Sequence, residues 1–171
     1  KDFDWTLQQV KVLKQSPSLL IANDAIEMFL LIQDNSAEDS LRVALQAYAT
    51  ADLKLYQNKN EEALQLFLTI LQKHKGESIE EGTLFKVGKI YEGKGDFNKA
   101  LTYYQNILDN HKDGIYKDEA LYFSAEIYRK HLLDNEKAKA LYEKVVLEHP
   151  DSLYYTESRK QYRTLRGDST I

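Results

Sequence analysis

The same residue types recur along this chain at intervals of 37 and then 38 residues. Ala63, Ala100 and Ala138 mark the register, and an aromatic residue follows each alanine four positions later. Three further sets keep the same register: Ala51, Gly88 and Ala125; Ile70, Ile107 and Val145; His74, His111 and His149. The chain is therefore predicted to be an array of one repeated supersecondary unit. The longer second interval predicts one extra residue in the turn near Leu133.

Each copy has the pattern of two helices joined by a tight turn. In the second copy, Val87 and Tyr91 continue one apolar helix face, and Ala100 and Tyr104 begin another. A Gly-Asp pair at 95–96 lies between them, with the glycine suited to ending a helix and the aspartate to capping the next. The chain has only 2 prolines and 7 glycines, which favours long helices.

The flanks of the array also show helical patterns. Residues 1–39 are predicted to form a degenerate helical pair, whose second helix begins with the cap and first-turn proline Ser16-Pro17. Residues 19–33 are apolar on most sides, so we expect them to be buried between neighbours. Residues 151–171 are predicted to form a capping helix and a frayed tail, with Arg159, Lys160, Arg163 and Arg166 on the solvent face.

The stretches GKIYEGKGDFNKALTYYQNIL and EKAKALYEKVVLEHPDS resemble the tetratricopeptide repeat. The resemblance implies an all-α fold, a right-handed α–α superhelix of about nine antiparallel helices. Three repeats would span about 40–76, 77–114 and 115–150. The first repeat departs from the pattern, because Lys54 and Asn60 stand at the usual tyrosine and aromatic positions.

In that family the first helices of successive repeats line a concave groove that binds a peptide or protein segment. The resemblance places the following residues in the groove: Tyr48, Asp52 and Leu55; Phe85, Lys89 and Glu92; Tyr122, Glu126 and Arg129. Tyr48, Phe85 and Tyr122 recur every 37 residues and suit the anchoring of a peptide. The alternative is that these rings only pack against the neighbouring unit.

The carboxylate clamp found in some members is not predicted here, because Asp52 and Glu126 are acidic at positions where that clamp uses other residues. The favoured function is a non-catalytic interaction scaffold with a protein or peptide partner. Two alternatives stay open: a cytoplasmic scaffold or chaperone adaptor, and a homo-oligomer formed through the N-terminal edge. The second would use Leu20, Ile26, Phe29 and Leu30.

Several other functions find little support. A net charge of −4 argues against general nucleic-acid binding, and no apolar run reaches the roughly 18 residues that cross a bilayer. The three histidines in register would lie about 10 Å apart on packed helices, too far for one metal. No metal site, cofactor or catalytic set is predicted, and Gly93 and Gly95 are assigned to a turn. Arg166-Gly167-Asp168 is interpreted as part of a frayed end without an adhesion role.

The last third of the chain adds a narrower resemblance. Residues 120–167 resemble the repeats of bacterial envelope proteins, namely the Tol–Pal coordinator and the helical lipoprotein of outer-membrane barrel assembly. This implies a periplasmic or outer-membrane-associated location and a role in assembling an envelope complex. Because the chain begins Lys-Asp-Phe, we expect it to be the C-terminal part of a longer protein.

Overall fold

The computed structural model describes residues 3–35, 39–111 and 113–168, and these residues are helical with short connections. They form nine α-helices and one π-helical turn. The α-helices are α1 (Phe3–Leu13), α2 (Leu19–Asp34), α3 (Asp39–Tyr56), α4 (Asn60–Lys73), α5 (Ile79–Gly93), α6 (Phe97–Asn110), α7 (Lys117–Ile127), α8 (Asn135–Glu148) and α9 (Tyr155–Arg166). The predicted all-α class and helix number are confirmed. The ends of the predicted segments 1–39 and 151–171, at 1–2, 36–38 and 169–171, lie outside the described residues.

The chain divides into two compact units, residues 1–90 and 91–171. The boundary falls inside α5, within the second predicted repeat. In the first unit α1 packs on α2 and α3 on α4, while in the second α7 packs on both α6 and α8, and α8 on α9. Each unit has its own buried residues, exemplified by Phe67 and Ile79 in the first and Tyr104 and Tyr142 in the second.

The turn inside each repeat has one residue with a left-handed backbone. Asn58, Gly95 and Leu133 occupy this place, with φ angles of 59°, 77° and 55°. The next residue donates its N–H to a carbonyl near the end of the first helix: Lys59 to Lys54 and Asp96 to Tyr91, both at 2.9 Å. These bonds satisfy carbonyls that the helix itself leaves unpaired.

The third turn absorbs its extra residue in a π-helix, Tyr128–Leu132. The N–H of Asp134 reaches back to the carbonyl of Tyr128 at 2.9 Å, a closure one residue longer than those of the other two turns. A one-residue insertion into an α-helix is accommodated in this way. The insertion predicted near Leu133 is thus confirmed, and its structural form is a widened helical turn.

The second helices of the repeats begin differently. The Asp96 side chain accepts the N–H of Lys99 at 3.3 Å, and Asp134 accepts that of Lys137 at 3.1 Å. The Asp96 cap was predicted and is confirmed. Helix α4 begins after Lys59 with no side-chain cap; Glu61 and Glu62 instead place negative charge in its first turn.

Two expectations for the N-terminal region were wrong. Helix α2 begins after Ser18, not after Ser16. Its apolar face is also not covered within the described residues: Ala25 and Ile32 are buried, whereas Leu19, Leu20, Ile21, Ile26 and Met28 are exposed. Helix α1 packs on α2 and covers one side of it, whereas a helix that is apolar on most sides needs neighbours on most of them to be buried.

Candidate functional site

The candidate site that contains predicted groove residues lies on α7 and the π-helical turn in the second unit. A cleft of about 230 Å³ is lined by Glu92, Tyr122, Phe123, Glu126, Ile127, Lys130 and His131. Three of these, Glu92, Tyr122 and Glu126, are among the residues predicted for the groove. Its volume is below the roughly 300 Å³ at which small-molecule sites begin, so it suits one side chain of a larger partner.

A polar network adjoins this cleft, and two of its members, Glu126 and Lys130, line it. The Tyr142 hydroxyl donates to Glu126, and the Arg129 guanidinium donates to the same carboxylate from Nη2 at 3.1 Å. Arg129 Nε also lies 3.2 Å from the Tyr142 hydroxyl, and Lys130 forms an ion pair with Glu126. The side chain of Glu126 is only 10% exposed, so these three donors replace the water that it loses.

The network holds Glu126 ionised and Tyr142 protonated. Burial alone raises the pKa of Glu126, but hydrogen bonds from Lys130, Tyr142 and Arg129 outweigh it and lower the pKa overall. Burial, together with the hydrogen bond to Glu126, raises the pKa of Tyr142 well above its ordinary value. Both shifts move away from neutral pH, whereas a general acid or base works best with a pKa near the operating pH. The network therefore favours a positioning role over proton transfer.

Two aromatic residues, Tyr122 and Phe123, also line the cleft, and Tyr154 packs on both of them. The rings of Tyr122 and Tyr154 are stacked with their centroids 4.3 Å apart, and Phe123 meets Tyr122 edge-on at 5.3 Å. Tyr122 is half-buried and also packs on the cluster of Ala125, Ala138 and Tyr142. The ring is thus held in one orientation while part of it remains accessible, as expected of a rigid contact residue.

Glu92, another predicted groove residue of this unit, is also held in place by a hydrogen bond. The Tyr104 hydroxyl donates to Glu92 Oε2 at 2.8 Å. Burial, followed by the charge of Glu92, raises the pKa of Tyr104 well above its usual range. In both repeats, the aromatic residue four positions after the alanine therefore bonds to a carboxylate on the first helix.

In the first unit, the predicted groove residues are placed differently. Tyr48 is 4% exposed, and its ring meets that of Phe67 edge-on at 5.3 Å. Tyr48 is therefore a core residue, and the ring that it meets belongs to the same predicted repeat. Burial raises the pKa of Tyr48, and the charges of Asp52 and Glu27 add to the shift.

The remaining predicted positions in the first unit are half-buried. Asp52 forms an ion pair with Lys86 at 2.8 Å, which connects α3 to α5. Leu55, Phe85 and Lys89 are likewise half-buried. Partner binding by any of the nine predicted residues stays a prediction.

Sequence reasoning missed five residues of the cleft and its network: Phe123, Ile127, Lys130, His131 and Tyr142. A signal existed for two of them. Lys130 follows Glu126 by one helical turn, a spacing that brings opposite charges together. Tyr142 occupies the repeated aromatic position, but the sequence alone does not show that its hydroxyl meets Glu126.

A larger cleft of about 840 Å³ runs along α6 and α8, and none of the predicted site residues lines it. Several of its polar side chains bond within their own helix. Thr102 Oγ1 donates to the Asn98 carbonyl at 3.0 Å, and Gln105 Nε2 donates to Asp109 at 2.8 Å. These local bonds are typical of a solvated helix surface.

The register histidines share one structural role. Each is the C-cap of a second helix, and its N–H donates to the carbonyl of Ile70, Ile107 or Val145. Among the described residues, no group of three or more His, Asp or Glu side chains is arranged to hold a metal ion. No helix in the same ranges is both long and apolar enough to cross a membrane.

Comparison with known proteins agrees with this architecture. The tetratricopeptide repeat family model matches residues 83–114 and 119–152. The fold is similar to that in the crystal structure of a tetratricopeptide repeat protein from Parabacteroides merdae, with a TM-score of 0.59 and 19% sequence identity. The match covers 96% of this chain and 60% of that protein, so the chain spans about three fifths of its length. No curated protein matches the sequence. The chain thus carries two segments that match the tetratricopeptide repeat, within an all-helical tetratricopeptide repeat fold.

Proposed function

We propose that this protein is a non-catalytic interaction scaffold and that the α7 cleft binds a segment of a protein partner. The observation that carries the proposal is the convergence of Glu92, Tyr122 and Glu126 on one cleft. Repeats of this type generally mediate protein–protein contacts, and here the rings and the charged network hold the cleft in a fixed shape.

The lining indicates the kind of segment that fits. Tyr122, Phe123 and Ile127 offer apolar contact, while Glu92, Lys130 and His131 place both signs of charge and an imidazole around it. We therefore expect one apolar side chain to enter the cleft, with polar backbone or side-chain groups at its rim.

Selection of peptides from a random phage-displayed library on the immobilised chain tests this. Selected peptides should bind Tyr122→Leu at least tenfold more weakly than wild type, because an aromatic anchor contributes more than about 1.4 kcal/mol. Tyr56→Leu is the matched control, because Tyr56 is 86% exposed on the first unit. Equal affinity for wild type and Tyr122→Leu, or enrichment of no peptide, would contradict the proposal.

We also propose a bacterial envelope location, periplasmic or outer-membrane-associated, with a role in assembling a complex there. The support is the resemblance of residues 120–167 to envelope repeat proteins. Fractionation of cells that produce the full-length protein tests this: the protein should partition with the periplasm or outer membrane. Recovery in the cytosol would favour the cytoplasmic scaffold instead.

Self-assembly through the N-terminal edge stays a prediction. Leu20 is 62% exposed and Ile26 is 39% exposed, whereas Phe29 and Leu30 are half-buried. The ammonium of Lys14 lies 3.7 Å from the centroid of the Phe29 ring. Light scattering at several protein concentrations tests this alternative, because a self-assembling chain should increase in mass with concentration. A strict monomer at every concentration would exclude it.

A further inference from the structure

Helix α9 presents a row of arginines on one side. Arg159, Arg163 and Arg166 follow one another at intervals of four and three residues, which places them along one face of a helix. Ser158 is fully buried on the adjacent face of the helix, where Tyr162 and Leu165 pack on the Ala125–Ala138–Tyr142 cluster. The row is accessible, because Arg159 and Arg166 are exposed and the side chain of Arg163 is 43% exposed.

This row already holds a carboxylate of the chain itself. Arg166 Nε donates to Asp168 Oδ1 at 2.8 Å, and its Nη2 donates to Oδ2 of the same group. Arg163 Nε lies 3.6 Å from Oδ2. The hydrogen bond from Arg166 and the charges of both arginines lower the pKa of Asp168. Two parallel bonds from one guanidinium to one carboxylate are the geometry by which arginine recognises acidic groups.

The backbone presents Asp168 to the row. Gly167 has a left-handed conformation with φ of 87°, and the N–H of Asp168 donates to the Arg163 carbonyl at 3.0 Å. The chain therefore turns back onto the last turn of α9. The expected frayed end does not include residues 166–168, which form a bonded helix terminus.

The Arg166 side chain also packs on an aromatic ring. The Arg166 guanidinium lies 5.2 Å from the centroid of the Tyr162 ring, and the Tyr162 hydroxyl donates to Glu143 at 2.6 Å. A guanidinium held over an aromatic face loses less conformational freedom on binding an anion. The nearby carboxylate of Glu157 has other partners on the same helix: it accepts a hydrogen bond from Gln161 at 2.6 Å and lies 4.0 Å from the Lys160 ammonium.

We propose that the arginine row of α9 binds an acidic peptide segment of a partner, and that Asp168 competes with that segment in the free protein. A partner carboxylate would pair with Arg159 and then displace Asp168 from Arg163 and Arg166. A peptide is favoured over a nucleic acid because the row already binds a carboxylate of the chain itself. This surface is separate from the α7 cleft, so the proposal does not depend on that one.

Fluorescence anisotropy with a labelled octaglutamate peptide and the whole chain tests the proposal. Asp168→Asn should bind about three- to tenfold more tightly than wild type, because the internal competitor loses its charge. Arg159→Gln should bind at least threefold more weakly, and added salt should weaken every complex, as expected for exposed charges. Lys75→Gln, at an exposed lysine of the first unit, is the charge-matched control and should bind as wild type does.

Three outcomes would overturn the proposal: unchanged or weaker binding by Asp168→Asn, equal losses in Arg159→Gln and Lys75→Gln, and tighter binding of a labelled oligothymidine of eight nucleotides than of octaglutamate. The last would indicate a nucleic-acid surface. Circular dichroism of each variant confirms that the comparison is between folded proteins. Tyr122→Leu should bind octaglutamate normally, which separates this test from that of the α7 cleft.

Discussion

The α3–α4 and α7–α8 repeats occupy the same register but use the same positions differently. In α3–α4, Tyr48 is buried against Phe67, and an apolar ring contact closes the repeat. In α7–α8, Tyr122 remains partly accessible, and the ring equivalent to Phe67 is Tyr142, whose hydroxyl bonds to Glu126.

The comparison teaches that one added hydroxyl can change what a repeat offers to solvent. Phe67 has no polar atom to satisfy and can close against Tyr48. Tyr142 needs an acceptor when buried, and the acceptor brings Arg129 and Lys130 with it. The ring at this position is therefore buried in the α3–α4 repeat, whereas the α7–α8 repeat has a charged and aromatic cleft there.

The largest expected effect is at the apolar contact. Phe67→Ala should lower the free energy of unfolding by about 3–5 kcal/mol, because it removes a fully buried ring and leaves a cavity. Urea unfolding followed by circular dichroism measures it, with the exposed Tyr56→Ala as control, expected within about 0.5 kcal/mol of wild type. A loss below about 1 kcal/mol at Phe67 would show that this repeat is not closed by that contact.

The next largest effect is at the polar network. Glu126→Gln should destabilise by about 2 kcal/mol at neutral pH, because Arg129 and Lys130 lose a charged partner in a mostly buried site. Asp52→Asn is the matched control at the equivalent position of the first unit. Its ion pair with Lys86 is more exposed, so we expect a loss below about 1 kcal/mol. Equal losses of unfolding free energy in the two variants would contradict the proposed difference between the repeats.

The pH dependence of the same variant sharpens this prediction. The pKa of Glu126 is lower in the folded than in the unfolded chain, so its stabilisation is complete above the ordinary glutamate pKa of about 4.3. That stabilisation is lost as pH falls through the lower folded-state pKa. The difference between wild type and Glu126→Gln should therefore shrink on acidification. A difference that is constant from pH 7 to pH 3 would contradict an ionised Glu126.

The smallest effect distinguishes the turns. Leu133→Gly should raise the free energy of unfolding by about 0.5 kcal/mol. A leucine in the left-handed conformation costs about 1–2 kcal/mol, and part of the gain from removing it is offset because glycine loses more conformational entropy on folding. Leu133 is 76% exposed, so little packing is lost. Asn58→Gly should be nearly neutral, since asparagine tolerates this conformation better. Thermal unfolding measures both, and destabilisation by Leu133→Gly would show that the leucine side chain contributes through packing.

The sequence predicted those features that depend on residue spacing. The register of Ala63, Ala100 and Ala138 indicated the helix pairs, and Asp96 indicated a helix start. The change of interval near Leu133 located an insertion, although not its π-helical form, because a turn can absorb one residue in several ways.

Features that depend on side-chain geometry were not predictable in the same way. Tyr48 and Tyr122 share one register, yet their exposures differ because different rings lie across from them. The Glu126–Tyr142 bond requires two side chains 16 residues apart to meet. Several apolar residues of α2 are exposed, and hydrophobic periodicity does not report which sides of a helix are covered by neighbours.

The affinity of a peptide selected on the wild-type chain, measured for Tyr48→Leu and Tyr122→Leu side by side, tests the central difference most directly. Tyr48→Leu, measured where it is folded, should bind within about twofold of wild type, because Tyr48 is core. Tyr122→Leu should bind at least tenfold more weakly. Equal loss of affinity in the two folded variants would contradict the account, since it would place both rings on one binding surface.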